Sequence, residues 1–235
     1  MKDSIEIEVP SSLDSVTLKQ YQSFQKIVDL AGEDVDELFI KKHMVSIFCK
    51  LPIKQVEAIP FSRFDKVVEV LSETFSNSPT DLIKKFTLDG VEYGFEPNIE
   101  NISTGAYIDA SSSLEWEDYH VAVASLYRPI AFNRSVNSIE QYDIVDYEPS
   151  LEKAEAMKSA PLDACISAKV FFWNLAKDLQ KASLTYLEQV AMKEMSQKEK
   201  EDFKNKMDGI TQFTHLQEEY SRTLTKLSVN QYLQH

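Results

Sequence analysis

Four histidines and two cysteines are the residues of this chain best suited to metal or nucleophile chemistry, and their spacing favours neither. His43, His120, His215 and His235 form no HxxxH or HExxH pair, and neither Cys49 nor Cys165 stands near enough to further ligands to suggest a zinc ribbon. His120 follows Glu117 and Asp118, three ligand types in outline, but a solvated helix face accounts for them better. Glu140, Asp143 and Asp146 could approach a cation, yet they lack the ligand spacing and the glycine of an EF-hand loop. No GxSxG, Walker or GxGxxG motif is present, and none of the five glycines belongs to a GxG array. Enzymes commonly use glycine-rich turns to bring backbone against a ligand, so this scarcity leans against catalysis. No catalytic, cofactor-binding or metal-ligating residue is expected, and the chain reads as a protein that is not an enzyme. Paired carboxylates stay open, because separation along a chain does not fix distance in space.

The residues suited to binding another protein are clearer. Residues 159–190 carry Leu162, Cys165, Ile166, Phe172, Leu175, Ala176, Leu179, Ser183, Tyr186, Leu187 and Val190 at three- and four-residue steps, one face of a long amphipathic helix. Pro161 suits its first turn, where a missing N–H costs nothing. Phe171, Phe172 and Trp173 widen the stripe beyond one face; most of it should be core, with one aromatic left for contact. Further on, Phe213, Leu216, Tyr220, Leu224 and Leu227 give a last helix a thin apolar seam suited to a partner helix.

Other elements must hold these faces in place. Ile5, Ile7 and Val9 alternate with Glu6 and Glu8, the pattern of a half-buried strand that Pro10 ends. Thr17 with Gln20 forms a capping box that opens a helix through Leu18, Tyr21, Phe24, Ile27, Val28 and Ala31, closed by Gly32. Asp34 is expected to cap the next helix, and Pro52 and Pro60 to restart helical structure through Phe75. The period then changes to two on either side of Asp89-Gly90, a hairpin whose type I′ turn needs φ > 0 at both positions. The strand at 5–9 is a plausible third member of that sheet. Residues 98–110 read as a loop or short helix in which Gly105 allows a positive φ. Ser112 with Glu115 should cap a helix from Trp116 that Arg128-Pro129 stops. Residues 131–148 read as an extended connection with an edge strand at 142–147, and Ser150 caps a short helix.

The expected fold is therefore α+β and mostly helical: a small antiparallel sheet, several helices, one long helix near 161–190 and a helical C-terminal extension. The expected domains are 1–190 and 191–235. The net charge is −13, and residues 191–235, with seven basic and seven acidic residues, contribute none of it. An acidic body repels phosphate backbones, so nucleic acid is not an expected partner, and it could steer a basic protein instead. No segment approaches the ~18–20 apolar residues of a membrane span, and the N-terminus lacks a signal-peptide apolar block, so the expected compartment is a cytoplasm. Both cysteines lie in apolar helical patterns and are expected to be buried thiols.

Three segments, in order, resemble a family of small proteins from the tail modules of tailed bacteriophages. They are 86–109 (FTLDGVEYGFEPNIENISTGAYID), 116–130 (WEDYHVAVASLYRPI) and 161–188, with its Pro-Leu-Asp start, Phe-Phe centre and Leu-Thr-Tyr-Leu-Glu end. The resemblance implies a non-enzymatic tail assembly chaperone, acting in the host cytoplasm by shielding tape-measure or tail-tube subunits during assembly. Its alternative is a connector, tail or baseplate subunit retained in the virion beside neighbouring subunits. Either implies a homo-oligomer, no cofactor and no transferred site residue. The 191–235 extension departs from the family pattern.

Overall fold

The computed structural model describes residues 6–31, 36–77, 79, 81–136 and 139–175. It is an α+β protein, mostly helical, with one four-stranded antiparallel sheet in the order β1-β2-β3-β4. Two compact units divide at Ala168/Lys169. The first holds the sheet and most of the described helices; the second is described only over residues 169–175.

The N-terminal helices form as the sequence signals require. Thr17 and Gln20 make both arms of the capping box: Gln20 N donates to Thr17 Oγ1 at 3.2 Å, and Thr17 N to Gln20 Oε1 at 3.1 Å. Helix α1 (Leu18–Ala31) follows; Gly32 and Asp34 lie outside the described residues. The cap of α2 (Glu37–Phe48) is Asp36, whose side chain accepts from Leu38 N, so the cap falls two residues beyond the expected one. Pro52 and Pro60 open α3 (Ile53–Glu57) and α4 (Phe61–Ser76). Phe24 of α1 meets Phe48 of α2 with ring centres 5.4 Å apart, and Phe48 meets Phe75 of α4 at 4.6 Å. Each such buried ring contributes on the order of 1.5–3 kcal/mol by leaving water.

The hairpin of β1 (Lys85–Leu88) and β2 (Val91–Phe95) turns at Asp89 (φ 50°) and Gly90 (φ 79°), as a type I′ turn demands. Its neighbour is not the N-terminal segment. Ile7 and Val9 are half-buried but join no strand, and β3 (Tyr127–Val136) occupies the position next to β2. β3 begins directly where α6 (Tyr119–Leu126) ends, and it pairs with β4 (Ile139–Ile144). Helix α6 stops before Arg128-Pro129 as expected, and Pro129 lies within the strand that follows. It sits where β3 passes from β2, its partner at 127–129, to β4, its partner from 130 onward, so its missing N–H falls at the junction of the two ladders. Strand β4 ends at Ile144, short of the expected 142–147.

Two further expectations are corrected in the same region. Residues 104–112 are helix α5 (Thr104–Ser112), capped by Ser103, and Gly105 is helical rather than positive in φ. Ser112 thus closes α5 instead of capping the next helix, and α6 begins at Tyr119 after a turn. The Ser150 cap is found: its side chain accepts from Lys153 N at the start of α7 (Leu151–Ala156).

Helix α8 covers residues 162–175 of the described chain; its expected continuation to 190 lies outside the described residues, as does the proposed boundary at 190/191. Its opening turns are the meeting point of the first unit. Leu18 N donates to Ala160 O at 3.0 Å and Leu162 N to Val16 O at 2.8 Å, stitching the start of α1 to the start of α8. Tyr119 of α6 donates its hydroxyl to Cys165 O at 2.9 Å. Tyr127 of β3 donates to Ile83 O at 2.6 Å and Ala164 O at 3.2 Å, and Ile83 N donates to Ser167 Oγ at 3.0 Å. Ala160, Ala164, Cys165 and Ala168 are fully buried, small enough for neighbouring backbones to approach. Phe86 and Phe95 pack their rings on Tyr127.

Tyr127→Phe keeps the ring and removes the shared hydroxyl, so it should lower unfolding stability by about 1–3 kcal/mol in urea titrations. Thr17→Ala should cost about 1 kcal/mol in the same measurement through loss of the cap.

Candidate functional site

A cavity of about 180 Å³ opens in the first unit between the sheet, α6 and α7. Tyr93 and Pro129 come from paired positions of β2 and β3, Val121 and Ala124 from α6, Val145 from the chain after β4, and Met157 from the turn after α7. Together they make a predominantly apolar wall. The polar groups gather on one side: Tyr147 donates its hydroxyl to Asp109 of α5, and the Ser125 hydroxyl lies within hydrogen-bond reach of the same phenol. Burial, then the Asp109 carboxylate, pushes the Tyr147 phenol above the ordinary tyrosine range, so it stays protonated and acts as a donor.

The ionic groups of the lining are unevenly neutralised. Arg128 is held by Glu96, a pair almost wholly buried, and Lys153 is held by Glu148 at 2.7 Å. Asp109 and Asp146 face no cationic partner among the described residues. The uncompensated charge of the lining is therefore negative. This arrangement suits an apolar group carrying a donor or a positive charge; it contains no activated nucleophile.

The other reactive groups lie elsewhere. Both thiols are buried, and burial pushes Cys49 up to about 11 and Cys165 higher still, which disfavours the reactive thiolate. His120 is buried between α1, α6 and α7; Gln22 Nε2 lies 3.4 Å from its Nδ1, and Glu155 Oε1 lies 3.5 Å from its Nε2. Among the described residues, no group of three or more His, Cys, Asp or Glu could hold a metal ion.

Of the residues expected to bind partners, Phe171, Phe172 and Trp173 are consecutive in α8 and each is half-buried. Phe213, Leu216, Tyr220, Leu224 and Leu227 lie outside the described residues. The cavity was not foreseen. A partial signal existed, since Asp109 closes the first of the three phage-like phrases and Tyr127-Arg128-Pro129 lies in the second.

Fold and site together define a mostly helical α+β protein with an apolar pocket of acidic lining. No protein-family model, no curated protein and no solved structure matches this chain. No helix among the described residues is long and apolar enough to cross a membrane.

Burial, and next the Lys158 ammonium, hold the His120 imidazole below the ordinary histidine range, while Glu155, Asp118 and the Glu117 backbone pull the other way. The unfolded chain therefore takes up this proton first as pH falls. Stability should drop as pH passes below about 6.5 and through the lower folded value. A pH series of denaturant midpoints should show that slope, and His120→Gln should flatten it.

Proposed function

We propose that this chain is a non-enzymatic bacteriophage protein that acts by binding other phage proteins, as a tail assembly chaperone shielding tape-measure or tail subunits. The observation that carries this reading is the meeting of the three phage-like phrases around one hub. Phe86 of the first packs on Tyr127 of the second, and Tyr127 donates to Ala164 of the third. Phrases that meet in space belong to one folded unit, as a family signature should.

Surface chemistry supports binding over catalysis. Leu30, Leu38, Phe39, Phe61, Tyr107, Ile108, Phe132 and Leu151 are large apolar side chains exposed on the described surface. Such residues suit contact with other chains, and the net charge of −13 favours a basic partner while opposing nucleic acid. Self-association through helical faces fits the same surface.

A pull-down from infected cells should recover a tape-measure or tail-tube protein, and mass spectrometry of purified virions should find the chain absent. Presence in virions at fixed copy number would instead mark a structural tail, connector or baseplate subunit. Light scattering should report an oligomer.

A further inference from the structure

We propose that the cavity between β3, α6 and α7 is a socket for one basic side chain of a partner protein, a lysine or arginine set within an apolar stretch. This rests on the protein-binding reading above, although its test needs no native partner.

Size sets the first limit. The cavity measures about 180 Å³. An engineered cavity of about 150 Å³ holds a benzene ring, whereas small-molecule and cofactor sites begin near about 300 Å³. The space suits one side chain better than a free cofactor.

Wall chemistry sets the second. Tyr93, Val121, Ala124, Pro129, Val145 and Met157 offer an apolar lining to an aliphatic stem. Charge sets the third. With Arg128 committed to Glu96 and Lys153 to Glu148, the carboxylates of Asp109 and Asp146 are the lining charges left to compensate, and a cationic head group does so. An acidic side chain would meet like charge, and an entirely apolar one would desolvate the carboxylates without compensation.

The surroundings favour a protein over a free amine. Ile108 next to Asp109, Val145 in the wall and Leu151 next to Ser150 are exposed apolar side chains beside lining residues. They could cover the apolar neighbours of an inserted lysine or arginine. The negative charge of the whole chain would draw a basic segment toward the socket.

The test titrates the full-length, isotope-labelled protein with three capped tripeptides, Leu-Lys-Leu, Leu-Glu-Leu and Leu-norleucine-Leu, following backbone amide shifts by NMR. The lysine peptide should move the amides of residues 121–125 and 145–148, with the other two at least about tenfold weaker. The Asp109→Asn/Asp146→Asn double variant should weaken the lysine peptide by about tenfold. Ala124→Leu should fill the socket and abolish binding while leaving a dispersed spectrum. Equal binding of the lysine and glutamate peptides, or no shift at these amides, would overturn the proposal. So would n-butylamine binding as tightly as the lysine peptide, which would mark a site for free amines. A positive titration with a failed pull-down would retain the socket and remove the tail-protein partner, so the two readings fail separately.

Discussion

Everything in the first unit depends on how closely other backbones can approach the opening turns of α8. Ala160, Ala164, Cys165, Ser167 and Ala168 present little side chain, and all are buried. Larger residues there would hold neighbours away. Their smallness lets the hydroxyls of Tyr119 and Tyr127 reach the carbonyls of Cys165 and Ala164. It also lets the Val16–Leu18 segment bond edge-on to residues 160–162. Helical carbonyls have a second lone pair, so these bonds are added to the helix without cancelling its own. The two tyrosines are kept protonated by their burial, which suits groups whose role is to donate.

The pocket is a by-product of the same arrangement. Tyr127 turns its ring toward the hub, which fixes the direction of β3 and leaves Pro129 beside Tyr93 in the register. The chain leaving β4 then crosses behind α6 with Tyr147 bonded to α5 and Ser150 capping α7. Gly105 admits this crossing, because a side chain there would press on the Tyr147 ring at 3.0 Å. The hub thus supplies rigidity and the crossing supplies a wall. A binding site on packed elements keeps its shape without a ligand.

Much of the fold was legible where a local signal has a local cause. The Thr17–Gln20 box, the prolines at 52 and 60, the Asp89-Gly90 turn and the Ser150 cap each act within a few residues, and each appears where expected. Signals whose outcome depends on distant partners misled. Ile7 and Val9 alternate as a strand would, but β3 occupies the place beside β2 that they would need. Arg128-Pro129 does mark the end of α6, but the strand that follows depends on partners near 93 and 144 that no local signal names. Asp36 and Asp34 offer the same capping chemistry two residues apart, and only Asp36 bonds to Leu38 N among the described residues. The cavity was invisible for a related reason: its lining runs from Tyr93 to Met157 and has no spacing of its own.

The change of partner along β3 also divides the sheet mechanically. β2 pairs with β3 only at Tyr93–Pro129, Gly94–Arg128 and Phe95–Tyr127; beyond them β3 and β4 pair with each other as a two-stranded ribbon. One aromatic clasps the two halves: Tyr142 lies over Gly94, where a β-carbon would come within 2.5 Å of the ring, and donates its hydroxyl to Phe95 O at 2.7 Å. The ribbon is coupled to the rest of the sheet through that clasp, the short ladder and Asn133, whose side chain accepts from Lys85 of β1 and donates to Glu92 of β2. Where the backbone ladder between β2 and β3 stops, side chains of the ribbon take over the bonding to β1 and β2.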